Sequence, residues 1–272
     1  MGNALNWNET PWPRHEEDGV AYYTAPGITA RHVFTTRLGG VSTGALESLN
    51  LSVRRGDEEP RVRENWARLG RAARLDLRGV ACARQVHGSD VRIARAADLQ
   101  PPEREPRVSC DGFVTNEPGV PLAVFLADCL PVLLHDAAAG VIGAVHCGWR
   151  SSVADILGVA VEKMVSLGAR PARIHAAVGP GIGACCFEVG PEVADGINRL
   201  LRGETEGLLR EKPDGRYMAD LKRANARRLA QLGVPAAQID LSGLCTMCRP
   251  EEFWSHRKTN GHRGVQAAII TL

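Results

Sequence analysis

Three runs rich in Val, Leu, Ile and Phe, at 122–126, 132–135 and 141–146, follow one another with no helix between them. This succession of strands constrains the fold more than any other feature of the chain. Similar runs occur at 30–35, 112–115, 174–178 and 265–271. Helical periodicity is confined to fewer places. Val62, Trp66, Leu69 and Ala73 recur after Pro60, and Val153, Ile156, Leu157, Ala160, Val161, Met164 and Leu167 after Ser151 and Ser152, with Gly168 as a left-handed cap. A third helix is expected over about 220–232 with Gly233 closing it, and Pro191 opens a shorter fourth. Helices gathered mainly after the central strands favour a mixed or antiparallel α+β fold over a doubly wound parallel sheet.

At 272 residues the chain is near the upper size of one domain, and 44% hydrophobic and 24% charged residues are those of an ordinary globule. Disordered, collagen-like and coiled-coil classes are thereby excluded. The most apolar stretch, 119–134, is interrupted by Asp128 and Pro131 and falls short of the roughly 20 residues a membrane span needs. The start of the chain lacks a basic segment followed by an apolar one, so the expectation is a cytoplasmic protein without a membrane partner. Of 33 basic residues only four are lysines, and 31 acids reduce the net charge to +2. The densest basic run, 222–228, falls on a helix carrying Leu221, Leu229 and Leu232 and reads as a solvated face, so nucleic acid is not an expected partner. Eight cysteines without an export signal read as reduced thiols. Residues 1–25 are expected as a loosely ordered extension, and 100–108 and 203–215 as surface loops within one domain.

Three segments each place a metal-ligand type at the end of a strand-like run: Gln85-Val86-His87-Gly88, Ala127-Asp128-Cys129-Leu130-Pro131 and His146-Cys147-Gly148-Trp149-Arg150. A lone His or Cys on an apolar run is usually a packed core residue. Together, however, His87, Cys129 and His146 supply two imidazoles and a thiolate, a set that suits Zn²⁺ and leaves a coordination position open. Gly88 and Gly148 follow the histidines, where turns would expose the rings. Gly148, Trp149, Arg150 and Ser151 then open a helix, whose free N–H groups and guanidinium favour an anion such as phosphate; an ordinary cap with a solvated arginine is the other reading. The glycine loop 179–190 permits close backbone approach but is neither a Walker loop nor a dinucleotide fingerprint. Cys245 and Cys248 have C-x-x-C spacing with no second pair in finger register, and read as two quiet thiols.

Side by side, Thr35-Thr36-Arg37-Leu38-Gly39-Gly40-Val41-Ser42, Ser48-Leu49-Asn50-Leu51, the three segments above, 179–190 and 245–257 closely resemble the YfiH family, the laccase-domain purine nucleoside phosphorylases, from about residue 30 onward. The resemblance implies layered mixed sheets with flanking helices, an architecture shared with bacterial toxin deamidases. It also implies zinc on His87, Cys129 and His146, and phosphorolysis of adenosine, inosine and methylthioadenosine, with adenosine deamination as a second activity. Nucleoside and phosphate are then the partners, and the oligomeric state stays open. Arg37 and Arg150 are expected to supply positive charge, Gly148, Ser151 and Gly181 backbone contacts, Asn50 a sugar or base contact, and Asp128 to orient a histidine ligand. Asp128 or Glu188 would shuttle protons in deamination, although the H-x-E and P-C-x-x-C signature is absent. Cys147 and His256 depart from the family's usual alanine and tyrosine, and Arg257 follows the latter. The eight histidines include no H-x-H pair, so a multi-copper cluster is not expected, although Cu²⁺ could occupy the three-ligand set and oxidise phenols slowly. A rival reading makes Cys129 a nucleophile and His146 its base in an amidase acting on a cell-wall precursor; another is a zinc-stabilised interaction domain.

Overall fold

The computed structural model describes residues 6–272. Its strands are β1 (Arg14–Glu17), β2 (Val20–Tyr23), β3 (Arg31–Thr35), β4 (Val91–Ile93), β5 (Gly112–Thr115), β6 (Leu122–Leu126), β7 (Leu130–Asp136), β8 (Val141–Cys147), β9 (His175–Val178), β10 (Glu188–Val189), β11 (Leu209–Glu211), β12 (Tyr217–Ala219), β13 (Ile239–Leu241) and β14 (Gln266–Thr271). The helices are α1 (Glu59–Ala73), α2 (Trp149–Val153), α3 (Ile156–Ser166), α4 (Pro191–Leu200), α5 (Leu221–Gln231) and α6 (His256–Thr259). Among the described residues no helix is long and apolar enough to cross a membrane.

Two sheets form the centre, one of order β1-β2-β3-β14-β6 and one of order β13-β9-β7-β8-β5-β4. The first is antiparallel throughout; the second is mixed, since β13 runs parallel to β9 and β4 to β5. Alternation along the strands sets the layers. Leu122 and Val124 of β6 and Ala268 and Ile270 of β14 meet Leu133 of β7 and Ile142 and Ala144 of β8 between the sheets. Ala123, Ala267 and Ile269 face the opposite way, onto Val62, Trp66 and Leu69 of α1. Val132, Leu134 and Val145 face away from the interface too, onto Ile156, Ala160 and Met164 of α3 and Leu229 of α5. The result is a helix–sheet–sheet–helix stack, in which fully burying a Leu or Ile contributes about 1.5–3 kcal/mol. The layered α+β expectation therefore holds.

The chain crosses from one sheet to the other in three residues, Ala127, Asp128 and Cys129, between the end of β6 and the start of β7. Asp128 makes this corner in the left-handed region, at φ 85°. Its carboxylate holds the strained turn in place, accepting from Thr246 Oγ1 at 2.6 Å, Ser255 Oγ at 3.0 Å and the Arg257 amide at 2.7 Å.

Three expectations are corrected. The helix expected to run on from Ser151 is broken after Val153, because Asp155 sits at φ 60° and caps a separate α3 by accepting from the Gly158 amide at 3.2 Å. Arg228 fixes that carboxylate from α5, at 2.8 and 2.6 Å. The N-terminal extension is ordered over β1 and β2. Asp18 and Gly19, at φ 50° and 76°, form a two-residue hairpin turn, and Val20, Ala21 and Tyr23 are buried beside β3. The remaining part of that expectation, 1–5, lies outside the described residues. The segment 203–215 is not simply a loop, since β11 pairs with β12 in a small third sheet with β10.

Candidate metal centre

His146 lies near the end of β8 on the face between the sheets, and Cys129 ends the inter-sheet corner. His87 comes from a loop before β4. That loop is fixed at both ends. Gln85 pairs with the Phe125 backbone, donating from Nε2 to its carbonyl at 2.7 Å and accepting from its amide at 2.6 Å. The amides of Val86, His87 and Gly88 converge on the buried Asp111 carboxylate at 3.1, 3.0 and 2.8 Å, which holds His87 at φ 60°. The ligand atoms of His87, Cys129 and His146 consequently all lie within 4.8 Å of one another, with Cys129 Sγ 3.8 Å from His87 Nε2. Gly148 packs against all three. A Cβ there would stand 2.9 Å from His87 Cδ2 and 3.2 Å from Cys129 Sγ, so any larger residue would displace the two ligand side chains.

Asp111 is the functional residue that sequence reasoning missed. Its Oδ1 is 2.8 Å from His146 Nδ1, which fixes the ring so that Nε2 is turned over to the cluster. Asp128, expected in that role, instead anchors the corner through Thr246, Ser255 and Arg257. No local sequence signal marked Asp111, since its partners reach it only when β5 pairs with the strand that carries His146 and the 86–88 loop closes over it.

Burial alone would push the Cys129 thiol up, but His146 and then His87 bring it down to about 6. Burial likewise opposes a charged His146, yet the Cys129 thiolate and Asp111 raise it to about 9. Burial works against ionised Asp111 too, and the His146 contact and the amides outweigh it and lower its pKa. A cluster that shares a proton between thiolate and imidazole gives that proton up to solvent when a divalent cation binds, and two nitrogens with one sulfur suit zinc or copper. Cys147 does not compete. It faces the opposite side of the sheet in the core under α3, where burial pushes its thiol far up.

Two cavities meet at the cluster and share Arg55, His87, Ala127, Cys129 and Arg263 in their walls. One, of about 330 Å³, adds Arg54, Gln85, Arg104 and His146. The other, of about 280 Å³, is lined by apolar Trp149, Ile182, Phe187 and Leu221, with His256 and Arg257 at its edge. Arg263 is buried with its Nε unpartnered, and burial, reinforced by nearby Arg55, lowers it to about 10. Neither Arg55 nor Arg263 has a carboxylate within salt-bridge distance among the described residues. A wider groove of about 890 Å³ by Thr29, Arg78 and His135 has no comparable donor set.

Several expected contacts lie elsewhere. Arg37 is spent on the carbonyls of Glu47 and Pro250, at 2.9 and 3.0 Å, with its guanidinium 5.3 Å from the Trp254 ring centre. Asn50 is buried as a brace, donating to Ser52 O and Asp57 Oδ2 at 2.9 and 2.8 Å and accepting from the Val265 amide at 3.0 Å. Arg150 lies 4.4 Å over the Trp149 ring and lines neither cavity. Ser151 is buried in a five-residue helix, too short to carry the anion site expected of a long one. Glu188 is neutralised by Lys212 and by Arg216 at 3.0 Å, and only its backbone carbonyl reaches Arg257, at 3.0 Å. Gly181 supports the corner, since a Cβ there would meet Leu130 Cδ2 at 2.4 Å.

A family model described as multi-copper polyphenol oxidoreductase laccase matches residues 31–272. The chain belongs to this family. A purine nucleoside phosphorylase from Deinococcus radiodurans is 43% identical over 93% of this chain and 94% of that protein. Adenosine deaminase RL5, from an unknown prokaryotic organism, is 33% identical over 88% of this chain and 93% of its own. The crystal structure of YlmD from Geobacillus stearothermophilus matches at TM-score 0.87 and 34% identity, covering 95% of this chain and 99% of that one. That of the Bacillus licheniformis hypothetical protein YfiH matches at 0.90 and 29%, covering 97% and 99%. The YfiH resemblance thus stands, and with it a place among nucleoside-processing enzymes. The described residues gather two groups of three or more potential metal ligands, one His/Cys/His and one of four cysteines.

Proposed function

We propose that the chain is a zinc-dependent purine nucleoside phosphorylase of the cytoplasm, cleaving adenosine, inosine and S-methyl-5′-thioadenosine to the free base and the (methylthio)ribose 1-phosphate. One observation carries this reading: the His87/Cys129/His146 cluster stands between an arginine-lined cavity and an apolar one, each of nucleoside-fragment size. Arg55 and Arg263, lacking carboxylate partners, hold the phosphate dianion. Trp149, Ile182 and Phe187 take the faces of the purine, and Arg257 and His256 meet its polar edge. Asp111 keeps His87 and His146 in place without entering either cavity, and Asp128 fixes the corner that carries Cys129. A phosphate oxygen forms the bond to C1′ as the bond from C1′ to the purine nitrogen breaks, and the base leaves with that electron pair and takes up a proton. Positioning the two reactants across the oxocarbenium-like transition state is the main task of the walls. His87, Cys129 and His146 would hold a zinc ion, which would supply Lewis acidity beside the bound reactants.

The test is zinc-loaded protein with inosine, with and without phosphate, following hypoxanthine and ribose 1-phosphate. Release that depends on phosphate supports the reading, and its absence refutes it. Conversion of adenosine to inosine without phosphate would identify the deaminase activity named for RL5. A second reading, a cysteine amidase with Cys129 as nucleophile and His146 as base, is favoured by the thiol held at about 6. It predicts amide cleavage that survives His87→Ala, whereas phosphorolysis does not. Phenol oxidation would follow only on copper loading and is a side reaction in either case.

A further inference from the structure

The C-x-x-C pair acquires in the fold the second pair it lacks in the sequence. Cys185 and Cys186, on the loop between β9 and β10, meet Cys245 and Cys248, on the loop after β13, and the four Sγ atoms all lie within 4.8 Å of one another. Cys248 Sγ is 3.5 Å from Cys185 Sγ and 3.4 Å from Cys186 Sγ. Four thiolates at about 2.3 Å from one zinc ion sit about 3.8 Å apart, so the spread is that of one tetrahedral ion. Clusters of two or four irons bind their cysteines through different metal atoms and spread the sulfurs wider. Two donors also stand by Cys245. The Gly183 amide donates to Cys245 Sγ at 3.2 Å. Lys222, buried and donating to the carbonyls of Ser242 and Leu244 at 2.8 and 2.7 Å, brings a positive charge beside Cys245.

We propose that Cys185, Cys186, Cys245 and Cys248 form a second, structural metal site that binds one Zn²⁺ and staples the loop walling the apolar cavity to the loop that secures the inter-sheet corner. The loops already touch, by a parallel bridge between Gly181 and Cys245 and a bond from the Thr246 amide to Gly181 O at 3.2 Å. One of them carries Ile182 and Phe187; the other carries Thr246, which holds Asp128 at the corner. Each thiol that ligates gives up its proton to solvent, and no electrons are exchanged. All four protein ligands are supplied, so the ion is closed to substrate and its role is to fix geometry. This site does not depend on the phosphorylase reading.

The test counts zinc per full-length chain by elemental analysis after gel filtration, in the wild type, in His87→Ala/His146→Ala and in Cys245→Ser/Cys248→Ser. Two equivalents are expected in the wild type and one in each variant. Should the cysteine variant not fold, cobalt substituted into His87→Ala/His146→Ala decides, since a site of four thiolates gives the intense visible bands of tetrahedral cobalt with sulfur-to-metal charge transfer. A single equivalent in the wild type with none in the histidine variant would overturn the proposal. So would a mass two hydrogens low for each pair under non-reducing conditions, because the cysteines would then be disulfides.

Discussion

Replacing Asp111 by Asn keeps the shape of the side chain and removes what the site uses. The carboxylate accepts four hydrogen bonds: from the Val86 and Gly88 amides on Oδ2, and from the His87 amide and His146 Nδ1 on Oδ1. An amide has one oxygen. With that oxygen toward Val86 and Gly88, its NH₂ faces the His87 N–H as donor against donor. It also donates to His146 Nδ1, so the imidazole proton moves to Nε2 and closes the lone pair that would ligate. Turned the other way, its NH₂ opposes both the Val86 and the Gly88 amides, two lost bonds against one, so the first orientation is favoured. An unsatisfied donor costs about 1–3 kcal/mol, so destabilisation of about that size is expected from the single opposed His87 N–H. Loss of such an outer partner weakens metal binding about 10–100-fold, or about 1.4–2.7 kcal/mol. Competition against a chromogenic chelator measures the affinity, and thermal unfolding of the apo and zinc-loaded protein measures the stability. Zinc affinity within twofold of wild type would refute the assignment of Asp111 as the group that sets the His146 tautomer, whatever happened to the melting temperature.

Gly148→Ala should lower zinc affinity with little effect on apo stability, since the added methyl meets His87 and Cys129 rather than the core; unchanged chelator competition would count against the close approach. Arg263→Gln should raise KM for phosphate at least about tenfold while leaving KM for the nucleoside within about twofold, because a charge-assisted hydrogen bond contributes about 1.5–3 kcal/mol; the reverse split, read from initial rates, would move the phosphate elsewhere. Asp136 is buried and accepts from the Ala138, Ala139 and Arg170 amides and from the Arg173 guanidinium, and although burial opposes its charge, these partners lower its pKa below the ordinary 3.8. The stability it contributes is therefore present at neutral pH and is lost as pH falls through about 4 and below. Asp136→Asn should cost about 1–3 kcal/mol at pH 7, and should flatten the acid limb of melting temperature against pH; a parallel limb would refute the coupling.

The central strands were legible because a run of Val, Leu, Ile and Phe is a local signal, while their layering came from the family resemblance. Leu122, Val124, Leu133 and Ile142 announce a buried face within a few residues of chain. The ligand trio was legible for a different reason, since each member ends an apolar run beside a glycine or a corner. What stayed hidden depends on partners far away in sequence. Asp111 shows nothing by itself until the amides of 86–88 fold onto it. Cys245 and Cys248 looked unaccompanied because their partners lie about sixty positions earlier, on a loop read only for its glycines. The strands of the third sheet span two or three residues, too few for any period to show. Asp155 broke the expected helix because its αL backbone is secured by Arg228, a residue on another helix. In contrast, the Asp18-Gly19 turn was readable from its dipeptide and went unread.

The three-residue crossing from β6 to β7 makes Cys129 a gauge of how the two central slabs seat on one another. His146 is rigid with one slab, and His87 is tied to the other through Gln85 and Phe125 and to the first through Asp111. Any slippage where Leu122 and Val124 of one sheet meet Leu133 and Ile142 of the other would reach the sulfur before it reached solvent. Substitutions in the middle of that interface should therefore register as altered ion affinity before they register as unfolding.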